Sequence, residues 1–308
     1  MVEPNAPYPL ITVVIPTYNS QNELEVAIKS VQSQLFLNWE LLIIDGGSSD
    51  NTLDIIRNYA NNDARISYVS EKDNGVYDAM NKGISLARGE WIYFLGSDDK
   101  LYAEKVFSVV APMLQHAPGQ FVYGNVKMGD RPEKYDGPFD FSKLLIKNIP
   151  HQASFYKKEL FKKFGLYDQR YRQHADWALN IKCFRQVDPL YIDVIVGLFG
   201  LGGISGAHDE LFLREVLLPE KMNLLKEEGK HVLRNIRSYD IVWRMVRNAA
   251  FKDEQDFEHA FLTQEVPMVI KSMFHVQRCI PVGALKNGFV SKTLMTANYL
   301  YNRIIFRL

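Results

Sequence analysis

The segment EKDNGVYDAMNKGISLARGEWIYFLGSDD, residues Glu71–Asp99, carries in one run a turn, a helix and a strand that opens onto carboxylates. Asp73 to Gly75 is turn chemistry, Tyr77 to Ala87 reads as a helix, and Trp91 to Leu95 reads as an apolar strand ending on Gly96-Ser97-Asp98-Asp99. Toward the N-terminus the alternation repeats. Ile11 to Ile15 is a β-branched run stopped by Pro16, and Ser20 with Glu23 predicts a capping box for a helix whose inward face is Leu24, Ile28, Val31 and Leu35. Leu41 to Ile44 is the next strand, followed by a Gly-rich turn and a helix capped by Asp50, with Leu53, Ile56 and Tyr59 or Ala60 inward. Ile66 to Val69 is the third. Strands alternating with such helices predict an α/β fold, a Rossmann-like, mostly parallel sheet with helices on both faces. The polar turns after Ile15, Ile44, Val69 and Leu95 then gather at the carboxyl ends of the strands, where such sheets bind ligands.

Toward the C-terminus the pattern is less regular. It gives a helix from Ala103 to Gln115, a strand from Phe121 to Val126 and a polar, Gly/Pro-containing stretch from Met128 to Pro138. A short strand, Ala153 to Tyr156, precedes helices over Lys158 to Phe164 and His174 to Phe184, and Leu190 to Val196 is the last strand. From Asp209 onward the chain reads as helices. In 308 residues, 47% hydrophobic and 23% charged content supplies a core and excludes a disordered or fibrous chain. Lys plus Arg equal Asp plus Glu at 36 each, so no global basic field is available for nucleic acid. Cys183 and Cys279, with only His275 near either, make neither a zinc site nor a disulfide framework.

Glu3 and the early prolines Pro4, Pro7 and Pro9, with no basic segment before an apolar run, do not read as a secretory signal, which predicts a cytoplasmic protein. The longest weakly polar stretch, Val194 to Ala207, is about 14 residues where a membrane span needs about 20. Charge is nevertheless uneven. From Val266 to the end stand Lys271, Arg278, Lys286, Lys292, Arg303 and Arg307 with no acid, so a net −6 body carries a +6 tail. The cations are interleaved with Ile270, Phe274, Val276, Ile280, Phe289, Leu294, Tyr299, Leu300, Ile304, Ile305 and Phe306. Such a tail suits the inner face of an anionic membrane, or packing on the body or on a second subunit as a homodimer.

Three acidic turns carry chemistry. In Asp45-Gly46-Gly47-Ser48-Ser49-Asp50 the last residue reads as a helix cap, whereas Asp45, which caps nothing in the pattern, reads as a binding residue. Asp98 and Asp99 are hard oxygen ligands suited to Mg²⁺ or Mn²⁺ bridging phosphates, and by themselves read equally well as the cap of a helix beginning near Tyr102. In His174-Ala175-Asp176-Trp177 the acid either opens a helix, interacting with its dipole, or serves as a general base, with Asp168 in reserve.

The strings TVVIPTYN (Thr12–Asn19), LLIIDGGSSDNT (Leu41–Thr52) and the Glu71–Asp99 segment, in this order, resemble those of family 2 glycosyltransferases, which have the GT-A fold. The likeness spans roughly residues 10 to 205. The reading NGVYDAMNKG is similar to bacterial enzymes that build cell-surface polysaccharides. The resemblance implies a catalytic domain over residues 1–207, with a nucleotide-binding half (10–100) and an acceptor-binding half (101–207), followed by a helical C-terminal region, 208–308. It implies that Thr17, Tyr18 and Asp45 hold the base and ribose, that Asp78, Asn81 and Lys82 line the sugar-diphosphate side, and that Asp98 touches ribose and metal. Asp99 is then the other metal ligand of a DxD-type motif whose first place is taken by Ser97, and Asp176 is the base of an "ED" signature whose first acid is replaced by Ala175. His151, Gln152 and His174 are acceptor or diphosphate contacts, and the Gly202-Gly203-Ile204-Ser205 turn closes near the donor phosphates.

These parts predict a metal-dependent, inverting transfer from a nucleotide-diphosphate sugar, a UDP-sugar, to a glycan or lipid-linked acceptor. Two rivals stand beside it. One is a sugar-nucleotide-binding or scaffold protein on the same fold; the other is a nucleotidyltransferase, for which an early Gly-rich, basic phosphate loop is missing.

Overall fold

In the computed structural model, which describes residues 8–129, 134–135, 137–200, 209–217, 219–221, 223, 276–277 and 288–305, the apolar runs become strands of one sheet. The first half supplies β1 (Ile11–Thr17), α1 (Leu24–Gln32), β2 (Trp39–Asp45), α2 (Thr52–Asn62), β3 (Ile66–Ser70), α3 (Val76–Leu86) and β4 (Trp91–Phe94). The second supplies β5 (Lys100–Leu101), α4 (Val106–Gln115), β6 (Phe121–Met128), β7 (Lys134–Tyr135) and α5 (Phe141–Leu144). It continues with a 3₁₀ turn (His151–Ala153), β8 (Ser154–Lys157), α6 (Lys158–Phe164), α7 (Ala175–Gln186) and β9 (Leu190–Phe199).

The strand order is β3-β2-β1-β4-β8-β6-β9-β5, with β7 on β6. β3, β2, β1 and β4 are mutually parallel, and the register sets Thr17 beside Asp45 and Asp45 beside Ser70, so their ends share one edge. Beyond β4 the sheet is mixed: β8 runs antiparallel to β4 and β6, and β9 runs parallel to β6. The mostly parallel expectation thus holds for the helix-linked first half only, because the apolar pattern of a short strand carries no direction. β1 extends past Pro16. Val14 turns its carbonyl to β4, where Leu95 N–H bonds it at 3.0 Å, and Pro16, two residues on, faces the same side beyond the last β4 pair. Its missing donor therefore breaks no ladder bond.

Alternation along the strands splits the core. Ile11, Val13, Ile15, Leu41, Ile43, Trp91 and Tyr93 pack with Leu24, Ile28, Val31 and Ile56 of α1 and α2 and with Phe107 and Val110 of α4. On the other face Gly83 lets α3 lie directly on Val14, and Phe94 meets the rings of Tyr156, Phe161 and Tyr167. Burying each large apolar side chain contributes about 1.5–3 kcal/mol, so these two layers are the main stabilising term.

Local readings need correction. The capping box does not form: Ser20 Oγ bonds Tyr18 O and Ser97 Oγ, and α1 begins with no side-chain cap. Leu35 lies beyond the helix end and is exposed. Asp50 does accept from Thr52 N–H at 3.0 Å, at the start of α2.

Chain contacts define two units, Met1–Leu144 with Asn148–Asp209, and Leu145–Lys147 with Glu210–Leu308. In the second unit, the described part of the expected helical region includes helical turns over Glu210–Phe212 and Leu213–Leu217 and a helix over Gly288–Ile305, whose Met295, Asn298 and Tyr299 are buried and whose Leu300 is exposed. Among the described residues no helix is long and apolar enough to cross a membrane. The Gly202–Ser205 turn, Cys279 with His275, the prolines Pro4 and Pro7, and the tail residues Lys271, Arg278, Lys286 and Arg307 lie outside the described residues, as do Ile270, Phe274, Ile280 and Phe306.

Candidate active site

The loops after β1 and β2 are stitched together at the shared edge. Asn19, held at φ 49, accepts from Ser49 N–H at 2.9 Å and donates its own N–H to Ser48 Oγ at 2.8 Å, while Ser20 N–H reaches Thr52 Oγ1 at 2.8 Å. Thr17 is buried, its hydroxyl unpartnered among the described residues, and Tyr18 beside it is 62% exposed. Asp45 is fully buried. It accepts from Ser48 N–H and Oγ and from Ser70 Oγ at 2.6 Å, so its carboxylate fastens the turn to β3. A Cβ on Gly46 would lie 2.7 Å from the Asp73 carboxylate and push that side chain aside.

Asp98 and Asp99 follow β4, and β5 comes next, so the pair caps no helix: α4 begins only at Val106. The two carboxylates differ. Asp99 is buried, with Oδ2 accepting from Gln152 Nε2 at 2.6 Å and Gly96 N–H at 3.2 Å, and Oδ1 accepting from Gly200 N–H at 2.7 Å. One lone pair on Oδ1 stays free. Asp98 is exposed, and among the described residues no side-chain donor reaches it. Partial desolvation, then the charge of Asp99, push its carboxyl above the ordinary range, while His151 draws it down. Two hard oxygen donors side by side, one of them open and penalised for being ionised, fit a divalent cation that arrives with substrate phosphates. Among the described residues no three His, Cys, Asp or Glu side chains cluster.

Asp176 lies in the first turn of α7 and is 6% exposed. Tyr77 Oη donates to its Oδ1 at 2.8 Å and Asn148 Nδ2 to its Oδ2 at 2.7 Å. The segment Asn148–Gln152 therefore links the two acidic centres, its first residue holding Asp176 and its last holding Asp99. Four residue steps limit the Cα separation of Asn148 and Gln152 to about 14 Å. Gln152 Oε1 is buried and unpartnered among the described residues.

The other sequence candidates are engaged as follows. Asn81 exchanges two hydrogen bonds of 2.9 Å with the backbone of Tyr167, fastening α3 to the turn before α7. Asp78 accepts from Asn74 N–H at 3.0 Å and Gln169 Nε2 at 3.2 Å. Lys82 pairs with Glu71 at 2.9 Å and stands 3.7 Å from Asp78, and the Glu71 bond raises its pKa. His174 forms the N-cap position of α7, edge-on to Trp177 and 4.0 Å from Asp209. Asp168 is held by Arg170 at 2.7 Å, which lowers its pKa and makes it a weaker base than an unpaired acid. Tyr77, Asn148 and Gly200 were not singled out in the sequence: Tyr77 shows only as the first residue of an expected helix, and Asn148 and Gly200 give no local signal.

Residues 12–171 match Glycosyl transferase family 2. A Mycobacterium bovis protein named PGL/p-HBAD biosynthesis glycosyltransferase is 39% identical over 223 residues, covering 70% of this chain and 87% of its own. Among solved structures, S. aureus TarS 1-349 in complex with UDP-GlcNAc superposes with a TM-score of 0.59 at 16% identity, covering 93% of this chain and 90% of that one. The mannosyltransferase PcManGT from Pyrobaculum calidifontis, in complex with GDP-Man and Mn²⁺, gives 0.57 at 18% identity, covering 96% and 89%. At those identities the two superpositions show the GT-A-like fold.

Proposed function

Because the chain belongs to glycosyl transferase family 2, we propose that this glycosyltransferase moves a hexosyl or N-acetylhexosaminyl group from a UDP-sugar to a hydroxyl of a glycan or lipid-linked oligosaccharide. The observation that carries the reading is that the Asn148–Gln152 segment ties the buried, acceptor-only carboxylate of Asp176 to Asp99, whose sequence neighbour Asp98 is the open carboxylate. The nucleotide complexes of the two structural neighbours support a nucleotide-diphosphate donor.

Thr17 and Tyr18 offer the base and ribose one unpartnered hydroxyl and one exposed ring. Asp98 and the free lone pair of Asp99 would hold Mg²⁺ or Mn²⁺, which when bound neutralises charge on the departing diphosphate. Asp176, with one donor already on each oxygen, keeps a lone pair on each to take the proton of the attacking hydroxyl. Attack opposite the leaving group is a single displacement, which inverts the anomeric centre. Surface-polysaccharide synthesis is the setting the sequence resemblance supports, and a lipid-linked acceptor would bring the cationic tail to the inner membrane face.

The test is release of UDP from a panel of UDP-sugars, with Mn²⁺, with Mg²⁺ and with EDTA. One donor turned over in a metal-dependent way supports the reading. Turnover that EDTA leaves intact contradicts its metal dependence, and UDP binding without turnover, even with membrane extract added, would favour the binding-protein reading.

A further inference from the structure

The carboxylate of Asp176 lies at one end of a chain of three hydrogen bonds that begins at Tyr156 on β8. Tyr156 Oη donates to Asn180 Oδ1 at 2.8 Å, Asn180 Nδ2 to Asn148 Oδ1 at 2.9 Å, and Asn148 Nδ2 to Asp176 Oδ2 at 2.7 Å. A carboxylate can only accept, so Asn148 must present its NH₂ group to Asp176 and its carbonyl to Asn180. That fixes Asn180 in turn, because its carbonyl is left to face the phenol. From the opposite side Tyr77, on the first turn of α3, closes on Oδ1 at 2.8 Å. Each oxygen thus receives one donor, and the plane of the carboxylate is fixed by two elements far apart in sequence.

We propose that Tyr77 and Asn148 are the positioning residues of the transfer reaction, orienting Asp176 and holding its carboxylate ionised to receive the acceptor proton; this rests on the reading of Asp176 as the base. A hydrogen bond donated to a carboxylate stabilises its charged form, which a group 6% exposed otherwise pays for in lost hydration. Tyr77 is suited to the task because burial, then the charge of Asp176, hold its phenol well above the ordinary range, so it remains a donor wherever the enzyme works. The other titratable groups that feel the charge of Asp176 are Tyr156 from β8 and Tyr167 from the turn before α7, both likewise raised by burial, and His174 stands two positions before it at the N-cap of its helix. The tyrosines do not titrate near neutrality.

The test is the pH dependence of UDP release by the full chain bearing Tyr77→Phe, which removes one donor at almost constant volume. Loss of a donor leaves the carboxylate charge with less support, so the acid limb of the kcat profile moves to higher pH. kcat at neutral pH falls by about tenfold, while KM for the donor stays within about twofold. The shift persists in a His174→Gln background, which separates the imidazole from the carboxylate. Asn148→Leu, which removes the other donor, shifts the limb in the same direction and decides the matter if Tyr77→Phe does not fold. Asp176→Asn is measured alongside. If it is inactive and both donor variants keep the wild-type profile, the positioning proposal is overturned; if it stays active, the reading of Asp176 as base fails instead.

Discussion

The two acidic centres of the catalytic unit are built in opposite ways. At the mouth of β4 two like charges are adjacent in sequence; one is held by Gln152, Gly96 and Gly200 with a lone pair to spare, and the other is left open with its carboxyl pushed toward protonation. At the start of α7 a single charge is buried and given two donors. The difference separates a site that lacks a positive partner from one whose charge is already supported and needs only a proton. An unsatisfied anion invites a cation, and a solvated-in-place anion serves as a base.

The comparison breaks if the two centres respond alike to neutralisation. The largest effects are on turnover. Asp98→Asn removes the proposed open metal ligand and should lower metal-dependent UDP release by about 10³-fold or more. Asp176→Asn, by loss of the proposed base, should cost between about 10² and 10⁴ in kcat with donor binding retained.

Stability should move in opposite directions. Because the Asp98 carboxyl lies above its ordinary value in the folded chain, folding favours its protonated form, and the metal-free protein loses stability as pH rises from the ordinary value through the raised one. Asp98→Asn should therefore raise the Tm of the metal-free protein at neutral pH, an increase absent at acid pH. Asp176→Ala instead strands the buried Tyr77 hydroxyl and an Asn148 amide, and should destabilise by about 1–3 kcal/mol for each, read by denaturant unfolding.

Smaller effects sharpen the boundary of the site. Asn81→Ala removes both bonds to the Tyr167 backbone and should cost about 2 kcal/mol of stability, whatever it does to turnover. Asp168→Asn breaks a half-exposed pair with Arg170 and should change stability by less than about 1 kcal/mol, with turnover near wild type. A large loss of kcat there would return Asp168 to candidacy as the base.

Much of this was legible in the sequence where the physics is local. β1, β2 and β4 are almost wholly apolar because helices cover both faces, and the spacing of Leu24, Ile28 and Val31 gives the buried side of α1. The Asp98-Asp99 turn and Asp176 were visible as acids at element ends. What could not be read depends on partners distant along the chain. Asp45 looked free because Ser70, which binds it, lies 25 residues on at the end of the next strand, and Ser20 looked like a cap because Ser97 had not yet been brought to it. Tyr77 meets Asp176 from 99 residues away, so its hydroxyl gave no sign of a role. The two-residue strands β5 and β7 are too short for any alternation to show. The first of them matters most, since it replaces the helix that would have made the Asp98-Asp99 pair a simple cap.

The most direct test of the two-centre account is calorimetric titration of UDP with Mn²⁺ into Asp98→Asn and Asp176→Asn, each paired with its rate of UDP-sugar turnover. The account predicts that Asp176→Asn binds like wild type and does not turn over, while Asp98→Asn binds at least about tenfold more weakly and loses its response to Mn²⁺. Wild-type turnover by Asp176→Asn, or undiminished Mn²⁺-dependent binding by Asp98→Asn, would contradict it.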